Sequence, residues 1–279
     1  TALAWIALYY AEPRLAALDE IDRALAPLRE TAPSQLASGA VRPAPALEAD
    51  QLTAALGDRR ADLLAAEGKA RAELARWTGD PQADVVGEPP TYDIDPVKLR
   101  AGLEDVPSLR AYDAMGRQAD ADVAVAKADK RPDWSWDLAY QHRDPMWGEM
   151  VSVGATVSLP LFASTRQDPV IAARTQTANR VRIEREGARR TLVAALDADL
   201  ADHAMHHDRL MRAQTTLLPL AKRRADLETS SYAAGTASLP DVLGAFLALA
   251  EARIDALARE GDVARDAARI VLTYGNEAQ

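Results

Sequence analysis

The 279-residue chain contains no cysteine. That excludes disulfides, thiolate metal centres and cysteine nucleophiles together, and leaves the redox compartment open. Aromatic residues make up only 5%, with two phenylalanines, so no core built on large rings is expected. No apolar run approaches the roughly 18 residues that a membrane-crossing helix needs. Basic residues are outnumbered: 33 Lys and Arg against 42 Asp and Glu leave a net charge of −9. Such a balance disfavours nucleic acid, whose phosphates require a basic face. A Gly-rich phosphate loop, a nucleophile elbow and a zinc-protease motif are also missing, and His142 stands in a loop without an evident catalytic partner. Neither an enzyme nor a cofactor is expected.

What is abundant is alanine, 59 residues, the best helix former. This composition predicts long helices packed closely through small side chains. The chain opens on Thr1-Ala2-Leu3-Ala4-Trp5-Ile6, helical in pattern and without a basic-then-apolar leader, so it is expected to begin inside an element.

An internal repeat organises the rest. The turn cluster Ser38-Gly39-Ala40-Val41-Arg42-Pro43 and the cluster Ala234-Gly235-Thr236-Ala237-Ser238-Leu239-Pro240-Asp241 each follow a helical pattern. Each precedes an amphipathic run that ends at a glycine 40 residues after the first, Gly79 or Gly275. Both runs carry a Glu-Gly pair, Glu67-Gly68 and Glu260-Gly261. The layout predicts a duplicated helical hairpin. In the second return helix Leu243, Leu247, Ala250, Ile254, Leu257, Gly261, Ala264, Ala268 and Val271 alternate at four and three, the heptad spacing of coiled coils. The first copy is looser, with Leu52, Leu56, Leu63, Ala66, Ala70, Leu74 and Trp77, and Arg59 where an apolar residue is expected.

Residues 80–107 carry five prolines and read as a connecting stretch, followed by a helix over about 108–130. A long helix is expected from about Pro169 to Tyr232, a rod of roughly 90–100 Å. Pro219 inside it should bend it or shift its hydrogen bonding. Between residues 133 and 159 the period becomes two. Trp134, Trp136, Leu138 and Tyr140 alternate with polar residues, as do Val151, Val153, Ala155, Val157 and Leu159. This predicts an antiparallel hairpin with one apolar and one polar face. Alternation alone fits a hairpin packed on a helix as well as one facing lipid. The expected divisions are residues 1–79, a first helical hairpin; 80–131, a connecting segment with a helix; 132–162, the β-hairpin; and 163–279, a second long helical hairpin.

Two groups of residues are candidates for function. His203, His206 and His207 lie near Met205 and Met211, and His203 and His207 stand four apart, a spacing that lets two imidazoles share one metal. The same two histidines fall on a stripe with Leu196, Leu200, Leu210 and Leu217, which fits a helix–helix seam equally. At the turn clusters, Gly39 and Gly235 suit helix ends that need a positive φ, and Asp241 can cap the next helix. Charge pairs such as Arg180 with Glu184, or Asp262 with Arg265 and Asp266, read as solvated helical faces.

The order of helical hairpin, connecting segment, β-hairpin, long helix, tip and return helix resembles the TolC-type outer-membrane efflux proteins. Arg131-Pro132-Asp133-Trp134 through Tyr140-Gln141, Glu149-Met150-Val151-Ser152-Val153, Leu159-Pro160-Leu161-Phe162 and Arg166-Gln167-Asp168 are similar to the heavy-metal, CzcC-like branch. The tip from Tyr232 to Leu243 matches the family's second hairpin tip, and Gly39 to Ala44 its first. The resemblance implies a mainly α chain of long antiparallel, coiled-coil-like hairpins with one β-hairpin, a protomer of a TolC-like α/β-barrel. It further implies a homotrimer in the outer membrane of a Gram-negative bacterium, with helices in the periplasm. Such channels are passive conduits in tripartite pumps, joined to a periplasmic adaptor and a proton-driven (RND-type) inner-membrane transporter. By this resemblance Trp134, Trp136, Leu138, Tyr140, Val151, Val153 and Val157 face lipid. Gly39, Val41, Arg42, Gly235, Thr236, Ser238, Leu239 and Asp241 form the adaptor-contacting tips, with Val41, Arg42, Thr236, Ser238 and Leu239 exposed there. The cargo implied is heavy-metal cations. The family's signal sequence, N-terminal cysteine and first β-hairpin are expected to be missing, so each chain has two strands where the family has four. The rival readings are a soluble periplasmic helical metal-binding protein and a drug or secretion channel of the same fold.

Overall fold

A computed structural model describes the chain apart from residues 38–42, 143–145, 147 and 276–279. Its elements, in order, are helices α1 (Ala2–Ala37), α2 (Pro43–Thr78), α3 (Pro96–Gly102) and α4 (Pro107–Ala128), strands β1 (Asp133–Gln141) and β2 (Met150–Ser158), and helices α5 (Ala163–Arg212), α6 (Leu218–Ala233) and α7 (Leu239–Tyr274). The chain forms two compact units, residues 1–99 with 196–279, and residues 100–195.

In the first unit α1 packs on α2 and α7, and α6 packs on α7. The repeat read from the glycines is reproduced in element bounds. Helices α2 and α7 each start four residues after a glycine of the turn cluster and each runs 36 residues. Leu18, Ile21, Leu25, Leu56, Leu63, Leu239, Leu243, Ala250 and Ile254 form one buried cluster, and Leu74 joins Ala4 and Leu8 in another. The seam expected on α7 is therefore present, but the helix buries a second stripe as well: Val242, Ala245, Ala256, Ala267, Ile270 and Tyr274. A helix with three neighbours cannot be covered along one line.

Trp77, placed in the α2 seam by its spacing, is 55% exposed instead. At the end of the helix it lies along its own surface, where its Nε1–H donates to Glu73 Oε1 at 2.9 Å and Arg76 stacks over the ring at 5.1 Å. Gly261 is buried where the Tyr10 ring crosses α7: a Cβ there would lie 3.1 Å from Tyr10 Cγ.

The connecting stretch is not wholly irregular. Pro96 opens α3, and Asp95 Oδ1 accepts from the backbone N–H groups of Val97 and Lys98 at 2.9 and 3.2 Å. The proline needs no hydrogen bond at a helix start, and an aspartate just before it satisfies the free donors. Those backbone hydrogen bonds, that from Lys98 foremost, hold the Asp95 carboxyl below its usual range.

The expected long helix begins earlier than Pro169, at Ala163, and is interrupted as Pro219 requires. A proline lacks the N–H for the ladder and its ring crowds the carbonyl four residues back. The chain widens one turn just upstream into a π-helix, Ala213–Leu217, and Leu218 N–H donates to Ala213 O, five residues back.

In the second unit α4 meets the first part of α5 through a thin apolar contact, Ala119 with Ala178 and Val181. Ion pairs flank it. Arg185 bridges Asp113 at 2.6 Å and Glu104 at 2.8 Å, Arg189 reaches Glu104 at 2.6 Å, and Arg182 reaches Asp120 at 2.6 Å. The two hydrogen bonds from Arg189 and Arg185 lower the Glu104 pKa.

Candidate functional site: the strand face and the helical tip

Strands β1 and β2 pair antiparallel, with Trp134 opposite Val157, Trp136 opposite Ala155, Leu138 opposite Val153 and Tyr140 opposite Val151. Side chains alternate along a strand, so these eight share one face. That face is open. Trp134, Trp136, Leu138 and Tyr140 are 59–75% exposed, and Val151 and Val153 are 64% and 70% exposed. No described helix of this chain covers that face. The opposite face carries Asp133, Ser135, Asp137, Gln141, Ser152, Thr156 and Ser158. Gly154 leaves room there for the carboxylate of Asp137, into which a Cβ would run. Among the described residues no helix is long and apolar enough to cross a membrane, a fact that has no bearing on strands.

At the second tip α6 ends as its glycine demands. Gly235 has φ +75°, its N–H donates to Tyr232 O at 3.0 Å, and Thr236 N–H and Oγ1–H donate to Ser231 O at 2.9 and 3.0 Å. Ser238 then caps α7. Its Oγ accepts from Asp241 N–H at 3.4 Å while its own N–H donates to Asp241 Oδ2 at 2.9 Å, a capping box. The Ser238 hydroxyl also donates to Asp241 and is the leading cause that lowers the Asp241 pKa. Thr236 and Ser238 are exposed, as expected, whereas Leu239 is only 5% exposed. It is the first core residue of α7, packed with Leu243. The corresponding residues of the first tip, Gly39, Val41 and Arg42, lie outside the described residues.

The cap gives a direct prediction. Ser238→Ala should cost about 1 kcal/mol of stability and loosen the first turn of α7, read by amide exchange at Asp241. Because folding depresses the Asp241 pKa, its contribution is present above the unfolded aspartate value and fades as pH falls through the folded one. The acid sensitivity of that first turn should flatten in Ser238→Ala. Unchanged exchange at Asp241 would show that the box does not hold the turn.

The histidine cluster divides. His203 is half-buried with an unpartnered Nδ1, and burial lowers its pKa, whereas His207 is exposed. Among the described residues no three His, Asp or Glu side chains gather closely enough to hold a metal. The histidine that does find a partner is His206, whose Nδ1–H donates to Asp266 Oδ2 at 2.6 Å. Asp266, expected on a solvated face, is only 7% exposed. Arg269 lies 3.3 Å from it and 3.1 Å from Asp199. Tyr274 O–H donates to Asp199 at 2.8 Å, and burial with that hydrogen bond pushes the Tyr274 phenol up to about 12. This network clasps the end of α5 to the end of α7. Its signal in the sequence is the second α7 stripe: Asp266 stands four residues before Ile270 and eight before Tyr274.

A family model described as outer membrane efflux protein matches residues 99–276. The chain belongs to that family. No curated protein matches it in sequence. Among solved structures it is similar to the outer-membrane channel OprN, at 19% identity and a TM-score of 0.81 over 98% of this chain and 64% of that one. It is likewise similar to CusC, at 17% identity and a TM-score of 0.85 over 98% of this chain and 67% of that one. The Campylobacter jejuni CmeC outer membrane channel follows at 15% identity and 0.77, with 61% of its length covered. The fold of this family member is thus that of the TolC-like channels, mostly helical with one antiparallel β-hairpin. The chain spans about two thirds of the length of these channels or slightly less.

Proposed function

We propose that the chain is the larger part of an outer-membrane efflux channel, a passive conduit whose β-hairpin enters a barrel shared between three protomers. The observation that carries this reading is the open apolar face of the hairpin, with Trp and Tyr beside Leu and Val over a polar opposite face. Lipid is the solvent that suits such a face, and aromatic residues suit its interface. Two strands leave open edges, which lipid does not tolerate, so other strands must close the barrel. The helical tips are assigned to a periplasmic adaptor, with Gly235, Thr236, Ser238 and Asp241 at the contact, and Leu239 and Asp241 holding its shape. The pump would be of the proton-driven RND type, and the cargo heavy-metal cations. The metal assignment is supported by the resemblance of residues 131–168 to the heavy-metal branch, not by His203 and His207, which have no third ligand among the described residues.

The test has two arms. Leu138→Arg should abolish recovery of the chain in outer-membrane fractions, because a charge at mid-strand meets hydrocarbon, while Ser135→Arg on the polar face should leave it in place. Equal recovery of both variants would sink the membrane reading and favour the soluble metal-binding rival. Loss of the gene should sensitise cells to zinc, cobalt, cadmium or copper. Sensitivity to drugs with unchanged metal tolerance would assign the alternative cargo.

A further inference from the structure

The apolar strand face ends at the rung of Trp134 and Val157, and the next rung pairs Asp133 with Ser158. There the surface folds into an indentation of about 630 Å³, bordered by the end of α4, both strand ends and the start of α5. That is the size of a small-ligand site. Its walls carry charges of both signs, Arg131 and Arg166 with Asp129 and Asp133. Among the described residues none of these four side chains has an ion-pair or hydrogen-bond partner, whereas their neighbours Lys130 and Asp168 pair with each other. Opposite charges that share a wall without meeting are left for a ligand that bears both signs. Gln167 adds an acceptor to the wall, since its Oε1 is buried and has no donor. Leu159 forms part of the rim, and the chain runs on into Leu161 and Phe162, all three exposed. Phe162 holds φ +60°, which bulky residues rarely adopt, while its carbonyl accepts from the N–H groups of Thr165 and Arg166 at 3.0 and 3.2 Å. The start of α5 thereby fixes an exposed ring beside the charged walls.

We propose that this indentation binds the headgroup of a zwitterionic phospholipid with a primary amine, the chemistry of phosphatidylethanolamine. Arg131 and Arg166 take the phosphate, Asp129 and Asp133 the ammonium, and the acyl chains run along Leu159, Leu161 and Phe162. Guanidinium forks match phosphate oxygens. A primary ammonium carries three donors, for which the wall offers Asp129, Asp133 and Gln167. A quaternary ammonium has no N–H to give them, and an anionic glycerol headgroup leaves both carboxylates without a cation. The inference rests on the membrane reading of the hairpin: with the strand face in hydrocarbon, the rung beyond Trp134 lies at headgroup level.

The experiment titrates the chain, purified in detergent, with dioleoyl phosphatidylethanolamine, phosphatidylcholine or phosphatidylglycerol added to the micelles, and counts bound lipid by native mass spectrometry. Phosphatidylethanolamine should bind saturably and roughly fivefold more tightly than the other two. Arg131→Gln with Arg166→Gln should remove that preference. Asp129→Asn with Asp133→Asn should turn it towards phosphatidylglycerol. All four positions are exposed, so both double variants keep the fold. A wild type without preference, or a preference that survives both double variants, overturns the proposal. Soluble phosphoethanolamine that binds as tightly as the lipid would also overturn it, because the ligand is then a free metabolite. Micelles keep this result apart from the fate of the hairpin. A chain recovered with the outer membrane but indifferent to headgroup refutes the inference alone. A headgroup preference in micelles, with equal membrane recovery of Leu138→Arg and Ser135→Arg, supports the site and refutes the membrane reading alone.

Discussion

Asp266→Leu is expected to destabilise the chain by roughly 1–3 kcal/mol, through the loss of one buried acceptor. The value sits below the ~3–5 kcal/mol of a fully buried ion pair, because Arg269 is 43% exposed in its side chain and keeps Asp199 at 3.1 Å. What is left without a partner is the Nδ1–H of His206, whose side chain is 27% exposed. The double variant Asp266→Leu with His206→Leu should therefore recover part of the loss, by about 1 kcal/mol against the sum of the single changes. Amide exchange in the last turns of α7 is the suitable readout, since two compact units need not unfold in one step. Strict additivity would mean that the 2.6 Å contact between the two side chains carries no coupling, and that the clasp between α5 and α7 rests on Asp199 with its partners Tyr274 and Arg269.

That network also shows where a linear sequence stops being legible. The hairpin was readable because a period of two sustained over Trp134 to Tyr140 and Val151 to Val157 has few alternatives, and its pairing register follows from it. The first seam of α7 was readable for the same reason at a period of 3.5. The second seam was not, because half of it is alanine, which has no contrast against an alanine-rich background, and an aspartate stands among its apolar residues. Asp266 consequently resembled its solvated neighbour Asp262. Leu239 looked like an exposed tip residue because it follows a turn cluster, yet as the first residue of a capped helix it points into the core. Asp95-Pro96 announced a helix start that was hidden within a proline-rich stretch. Pro219 predicts a local disturbance of the helix, and the π-turn before it is the form that disturbance takes. Whether a strand face meets a helix or a membrane is not written in alternation at all. Exposure of that face is visible only in the fold.

The two halves of the repeat should respond differently to the same substitution. Gly68 and Gly261 occupy matching Glu-Gly pairs in α2 and α7. At Gly68, exposed and with nothing within 4 Å of an added Cβ, alanine gains helix propensity at no steric expense. Gly68→Ala should stabilise the chain by about 1 kcal/mol. At Gly261 the same Cβ would meet Tyr10 Cγ at 3.1 Å and two further ring-side atoms at 3.2 Å. Tyr10 has little room to give: it is buried, and its hydroxyl donates to Glu260 Oε1 at 3.4 Å. Gly261→Ala should lose most or all of the propensity gain, and Gly261→Leu should destabilise by about 1–3 kcal/mol or more as the ring is displaced. The phenol supplies a second readout. Burial first, and Glu260 second, push the Tyr10 pKa up to about 12, so a displaced ring should titrate closer to the ordinary tyrosine value near ~10. Destabilisation without that fall would place the strain elsewhere on α7. A Gly261→Leu chain as stable as wild type would show that α1 can shift away from α7 at Tyr10, and that close approach through glycine is not what sets the spacing of these helices.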